Sequence, residues 1–191
     1  IIADRPNITF VPGHIIPPLA GRFGATHWIT TVHDVAFQKN PELYSHGERF
    51  YLRQAFSWAL RYATRIIVPS EHVADAVRPQ CRHTTSVVVI PHGVQDIFCE
   101  LSPVQVDTVL KRYQLVPPYF LHVGRVVSKK NLDTLVEAYR LFTQAHPGVL
   151  VPLVFAGPVA PYWFTKLTSI IGVRPLGWVS DPDLVALLNG A

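Results

Sequence analysis

The segment FLHVGRVVSKKNLDTLVEAYRLF, Phe120–Phe142, decides how this chain is read. A strand-like run, YFLHVG, ends on Gly124, and Arg125 follows at once. Lys129, Lys130 and Asn131 come next. Then Leu132, Leu135, Val136, Tyr139 and Phe142 recur at the spacing of one helix face. The change of period puts positive charge where a strand hands over to a helix. In doubly wound α/β folds, ligands lie beyond the carboxyl ends of the strands. The first turn of the next helix offers unpaired N–H groups and a partial positive charge. Gly124 lets the backbone approach a ligand closely. Arg125 at the strand exit and Lys130 near the helix start can meet a phosphate from two sides, one as a planar fork and one as a compact point charge. A diphosphate is the natural ligand for such a pair. GRVVSKKN has a single glycine, so it is neither GxGxxG nor GxxxxGK[ST]. Taken alone, the cluster equally describes a solvated helix start, with Lys129 a surface residue.

The same alternation extends in both directions. Upstream, NITFVP (Asn7–Pro12) reads as a strand and GHIIPPLAGRFGA as a loop. HWITTVH (His27–His33) is a β-branched strand ending in polar residues. The stretch from Asp34 to Gly47 reads as irregular. A helix over about Glu48–Ala63 carries Leu52, Ala55, Phe56, Ala59, Leu60 and Ala63 as its buried stripe, with Arg49, Arg53 and Arg61 off it. RIIVP and SVVVIP are further strands. Between them Ser70 caps a helix that Pro79 ends. Ser102-Pro103 starts another helix, and Pro117-Pro118 breaks it. Downstream, VLVPLVFAG is a strand, a weaker helix covers about Tyr162–Ile170, and a short strand lies near VRPLGWV. Ser180 and Asp183 are expected to form a capping box for the last helix. Strand–helix–strand order with apolar strands predicts parallel sheets covered by helices, in two units.

Composition narrows the function. The chain has 191 residues, 49% hydrophobic and 16% charged, and a net charge of +4, which suits a globular protein with a mild preference for anions. The absence of an arginine-rich tail or long basic run argues against nucleic acid as a partner. No apolar run is long enough to span a bilayer. Cys81 and Cys99 are read as unpaired thiols. There is no methionine, even at position 1. The chain is therefore expected to be a piece of a larger protein, with any function a property of the parent.

Taken in order, GHIIPP, TVHDVAF, RYATRIIVPSEHVADAV, VVVIPHGVQDIF, FLHVGRVVSKKNLDTLVEAYRLF, LVFAGP and LGWVSDPDLVALLNGA resemble a retaining glycosyltransferase of family 4, with the GT-B architecture. The resemblance implies an α/β fold of two Rossmann-like domains facing across a cleft, both incomplete in this chain. Residues 1–100 would be the later part of the acceptor-side domain, 101–118 a linker and helix, and 119–191 the first part of the nucleotide-sugar domain. It assigns Gly124, Arg125 and Lys130 to the donor diphosphate, and His33 to the sugar and acceptor. The turn Pro91–Val94 ends the first domain. Its His92 stands where many relatives have asparagine, and Gln95 where many have aspartate. Asp34, His92 and Gly93 are candidate cleft residues. The family's paired glutamates, which contact sugar and ribose, and its glycine-rich front loop are not in this sequence, so the fragment is expected to be inactive alone.

The implied reaction breaks the donor C1–oxygen bond while Arg125 and Lys130 stabilise charge growing on the diphosphate. It needs no metal and no cofactor beyond the nucleotide-diphosphate sugar. The expected acceptor is a glycan or lipid-linked sugar. The expected location is cytoplasmic, peripheral at the inner face of the membrane. Competing readings remain open here. His33 and Asp34 also fit a strand end that satisfies backbone groups, and His92 a structural turn. Trp28 and Trp178 fit either a pocket rim or the core. A GT-B epimerase or phosphorylase, a non-catalytic nucleotide-sugar-binding module, or a dinucleotide oxidoreductase would reuse parts of the same pattern.

Overall fold

Seven strands, each parallel to its neighbours, form two sheets among the described residues. The structure, a computed structural model, describes residues 6–13, 16 and 27–191. Most of the GHIIPPLAGRFGA loop therefore lies outside the described residues. The chain divides into two compact units, Ile1–Gly93 and Val94–Ala191.

In the first unit, β1 (Ile8–Val11), β2 (His27–Thr31), β3 (Ala63–Val68) and β4 (Ser86–Val89) lie side by side in chain order. Between β2 and β3 run a short helix α1 (Ala36–Lys39), a 3-10 turn (Pro41–Leu43) and the long helix α2 (His46–Tyr62). The stretch expected to be irregular therefore holds α1 and that turn. Helix α2 starts earlier than its apolar stripe indicates because Ser45 caps it. The Ser45 hydroxyl accepts from the Glu48 N–H at 3.3 Å, and the Glu48 carboxylate accepts from the Ser45 N–H at 3.1 Å. Ala55, Phe56 and Ala59 bury their face against the sheet, and Phe56 meets Phe37 edge-on at 5.8 Å. Helix α3 (Glu71–Val77) is capped by Ser70 as predicted and runs into a 3-10 turn through Pro79. Trp28 is buried with Val32, Ile66, Val68 and Val77, so it is a core residue and not a pocket rim.

The second unit orders β5 (Phe120–Val123), β6 (Leu153–Ala156) and β7 (Val173–Gly177), with β6 central. All four residues of β6 are buried, and their alternation separates two cores. Leu153 and Phe155 pack with Leu132, Tyr139, Trp163 and Leu167 from α5 (Leu132–Ala145) and α6 (Pro161–Thr168). Val154 and Ala156 pack with Leu110, Tyr119 and Leu187 from the other side. Each such large side chain contributes roughly 1.5–3 kcal/mol when removed from water. Pro175 sits on the edge strand β7, where a missing N–H does least harm.

Helix α4 (Pro103–Arg112), expected to belong to a linker, packs Leu110 against α7 (Asp181–Gly190) in the second unit. The expected capping box at α7 is only half formed. The Ser180 hydroxyl accepts from the Asp183 N–H at 3.4 Å, but the Asp183 carboxylate does not return to Ser180. It accepts instead from Arg112 at 2.6 Å and from the Tyr113 hydroxyl at 2.8 Å. Aspartate is one methylene shorter than glutamate, and two strong donors from the α4 end claim both of its oxygens.

Tyr119 links the same layers: its hydroxyl donates to the Leu187 carbonyl at 2.6 Å. Burial pushes its pKa from 10.0 up to about 12. The unfolded chain therefore ionises first. The stability that the neutral phenol contributes is intact below about pH 10 and is lost as pH rises towards 12. Tyr119→Phe is expected to lower stability by about 1 kcal/mol at neutral pH. It should also make the alkaline loss shallower. Urea melts of both proteins across that pH range check this.

Candidate functional site

The sequence-predicted residues gather at the carboxyl ends of the strands, within each unit taken separately. In the first unit, the Val32 N–H donates to the Ile67 carbonyl at 2.9 Å, so the chain leaves β2 still fastened to β3. His33 then projects into solvent. Its Nε2 lies 3.0 Å from the Pro12 carbonyl, just past the end of β1. A carbonyl only accepts, so Nε2 carries the proton and donates. The His92 ring stacks on the His33 ring, with centroids 5.4 Å apart and planes 27° from parallel. Asp34 acts locally, because its Oδ1 accepts from the Ala36 N–H at 3.0 Å and so holds the start of α1. Because β2 ends at Thr31, strict strand alternation does not govern His33 and Asp34, and both are exposed. Gly93 has open space where a side chain would go, so neither crowding nor an unusual φ requires glycine there.

In the second unit, β5 stops at Gly124, whose φ is +125°, a region that side-chain-bearing residues rarely enter. The other two strands end the same way, on Gly157 at φ +139° and Gly177 at +75°. These glycines form a row. The Gly124 N–H donates to the Ala156 carbonyl at 2.9 Å, and the Gly157 N–H to the Gly177 carbonyl at 2.7 Å. A Cβ on Gly157 would fall 2.2 Å from the Gly124 oxygen. Sequence pattern singles out Gly124 alone. A signal for the others is present all the same, since LVFAG and VRPLG also end apolar runs on glycine.

Past Gly124 the chain is pinned again. Val126 is fully buried, and its N–H donates to the Pro158 carbonyl at 2.9 Å. Arg125 is exposed between these two anchors. Ser128–Lys130 forms a 3-10 turn, held from behind by the Trp163 indole, which donates to the Ser128 hydroxyl at 3.3 Å. Lys130 is exposed at the end of that turn. Asn131 adopts a left-handed conformation, and its side chain makes no cap to α5. Its amide oxygen accepts from the Thr134 hydroxyl at 2.8 Å instead. The one acidic residue in the first turn, Asp133, is tied to Lys166. Among the described residues, neither Arg125 nor Lys130 is in a salt bridge. The result is an edge with two unneutralised cations and a helix terminus that its N-cap side chain leaves open.

His122, on β5, carries no functional signal in the sequence beyond its place in a strand. Its Nδ1 is buried with no hydrogen-bond partner among the described residues. Burial holds its pKa below the usual histidine range, and the nearby charge of Lys130 pushes the same way. Trp178 is 75% exposed and so is not a core residue. Among the described residues, no group of three or more His, Cys, Asp or Glu side chains could hold a metal. No helix among them is long and apolar enough to cross a membrane.

Residues 4–96 match Glycosyltransferase Family 4. That match falls on the first unit, and the fold of the chain is that of GT-B glycosyltransferases. It is 25% identical over 171 residues to the O-antigen chain mannosyltransferase B of Escherichia coli, covering 85% of this chain and 45% of that protein. A glycosyltransferase from Rickettsia africae superposes with a TM-score of 0.65 at 17% identity, over 99% of this chain and 50% of the other. HepE of Anabaena, solved with UDP-glucose, superposes with a TM-score of 0.58 at 23% identity, over 83% of this chain and 44% of the other. These two likenesses establish the fold. The chain spans about half the length of the relatives it matches. The GT-B fold also explains why the polar residues collect beyond the strands' carboxyl ends.

Gly157→Ala in this GT-B chain is expected to destabilise the second unit by more than about 2 kcal/mol, through a backbone clash and a disfavoured φ. Chemical denaturation followed by tryptophan fluorescence measures the loss.

Proposed function

We propose that this chain contributes the diphosphate-binding edge and the acceptor-side histidine of a glycosyltransferase that moves a sugar from a nucleotide-diphosphate sugar with retention of configuration. The observation that carries the proposal is the loop Gly124–Asn131. It combines a positive-φ glycine, three exposed cations (Arg125, Lys129 and Lys130) and an N-cap whose side chain leaves the helix terminus open. The donor phosphates lie against Arg125 and Lys130, with Gly124 giving the backbone room. As the C1–oxygen bond breaks, negative charge accumulates on the leaving diphosphate, and these fixed cations stabilise it more than the ground state. Arginine spreads its contact over two oxygens, and lysine concentrates it on one. His33 faces the acceptor hydroxyl or the donor sugar. In this reading the unit ending at Gly93 is the acceptor side and the unit from Val94 the donor side. The donor-bound structures of HepE and the mannosyltransferase name of the Escherichia coli relative support the substrate class. The acceptor is a glycan or lipid-linked saccharide, and the reaction is cytoplasmic.

Calorimetry with a panel of nucleoside-diphosphate sugars, combined with product analysis with and without acceptor, tests the reading. Arg125→Ala and Lys130→Ala should each weaken donor binding about 10- to 100-fold, the range of one charge-assisted contact. Native-like binding and transfer by both variants would refute it. Sugar interconversion without acceptor would favour an epimerase, and phosphate-dependent cleavage a phosphorylase.

The same proposal places the protein at the inner face of a membrane, and the outer surface of α2 supports that part. Phe50 is 67% exposed and Tyr51 53% exposed, beside the exposed Arg53 and Arg61. Trp58 stacks on Tyr62 at 5.0 Å, and Arg61 lies over the Tyr62 ring at 5.5 Å. Aromatic rings interleaved with arginines suit the boundary between anionic headgroups and acyl chains. Cosedimentation should be stronger with phosphatidylglycerol-containing vesicles than with phosphatidylcholine vesicles. The double variant Arg53→Glu/Arg61→Glu should lower that partition by at least about 10-fold, given about 1 kcal/mol per basic side chain. Equal binding to both vesicle types would sink the membrane assignment.

A further inference from the structure

We infer that Lys166 is a positioning residue for the diphosphate edge: it holds and neutralises the Asp133 carboxylate, so that the one acid in the first turn of α5 does not oppose an incoming anion. The inference rests on the reading of Gly124–Asn131 as the diphosphate loop.

Asp133 is the second residue of α5, three positions after Lys130. A carboxylate there favours the helix, because it faces the positive end of the macrodipole. It opposes a bound phosphate for the same reason, since both are drawn to the same unpaired N–H groups and the same field. Lys166 removes the conflict. Its ammonium donates to the Asp133 Oδ1 from α6, 33 positions along the chain. Most ion pairs among the described residues lie within one helix or its immediate extension, whereas this one joins two helices. The cation is also the better anchored partner. The Lys166 side chain is 35% exposed and that of Asp133 67%. Lys166 Nζ lies 4.8 Å from the centre of the Trp163 ring and 5.9 Å from that of Tyr162. Trp163 is buried, so its face is a fixed platform. The same indole donates to the Ser128 hydroxyl at 3.3 Å. One aromatic side chain therefore braces the loop through its N–H and seats the counter-ion of Asp133 on its face.

An anion at this edge responds to the sum of the charges around it. Arg125, Lys129 and Lys130 are positive, and Asp133 with Lys166 adds nothing net. Without Lys166, Asp133 offsets one of those three cations. The hydrogen bond to Asp133 raises the Lys166 pKa, so the ammonium stays charged throughout the neutral range.

The test is calorimetry of inorganic pyrophosphate binding to this chain at low ionic strength. It compares the native protein with Lys166→Met, Lys166→Arg, Asp133→Asn and the double variant Lys166→Met/Asp133→Asn. Methionine keeps an unbranched side chain on the Trp163 ring without the charge. Lys166→Met should weaken pyrophosphate binding about 3- to 10-fold, the repulsion of one uncompensated charge at a solvent-facing site. Salt at about 0.5 M should shrink that deficit. Adding Asp133→Asn should bring affinity back to within about 2-fold of native, because the charge that Lys166 offsets is then gone. Lys166→Arg, which keeps the cation, should also stay within about 2-fold. Asp133→Asn alone should bind at least as tightly as the native chain. A double variant as weak as Lys166→Met would overturn the inference, since the lysine would then act only by packing on Trp163. Native-like binding by Lys166→Met would overturn it as well. Arg125→Ala and Lys130→Ala, measured alongside, separate the two readings. If they lose pyrophosphate and Lys166→Met does not, only the role of Lys166 fails. If they bind it as the native chain does, or if the native chain does not bind it, the diphosphate loop fails and the inference with it.

Discussion

The close approach of Gly124 and Gly157 is the constraint from which the second unit's edge follows. Two backbones meet where any side chain on Gly157 would collide with the Gly124 carbonyl. Both residues also occupy a φ region that disfavours every other amino acid. That meeting point ends two strands at the same level. Past it the two chains stay joined, as the Val126 N–H donates to the Pro158 carbonyl. Arg125 stands at the turn because the residues on either side are fixed by backbone bonds. Arg125 is therefore placed by backbone geometry, whereas the turn that carries Lys130 is also braced by the Trp163 side chain.

The first unit reaches a similar arrangement by other means. No glycine row is needed there. The ladder carries the chain to Val32 beside β3, and to Ile90 beside the same strand. The polar residues begin directly after those last bonds. His33 and His92 meet because β2 and β4 flank β3 and end at comparable heights. In both units the sheet core stops within two residues of the candidate chemistry. This is how a rigid apolar scaffold gives exposed side chains defined directions.

Much of this was legible in the residues, for identifiable reasons. Strand and helix periods differ enough that YFLHVG and the Leu132–Phe142 stripe could be told apart. Hydroxyl caps at Ser70 and Ser102 marked helix starts because their chemistry is local. The failures were non-local. Asp183 looked like half of a capping box because spacing says nothing about Arg112 and Tyr113, about 70 residues earlier in the chain. Helix α1 was missed because four residues are too few to show a period. Trp28 and Trp178 looked alike in sequence, yet one is buried in β2 and the other stands exposed after β7. The His33–His92 stack joins residues 59 positions apart and has no signal in local pattern.

The loop from Gly124 to Asn131 carries its own bracing. Val126, Lys130 and Asn131 each donate a backbone bond, and Trp163 supports Ser128 from behind. An anion docking there would have no segment to order and only two flexible side chains to still. Capture at such a socket would be quick, limited by encounter and steered by field. Dissolved salt, more than any rearrangement of the polypeptide, would then set its pace.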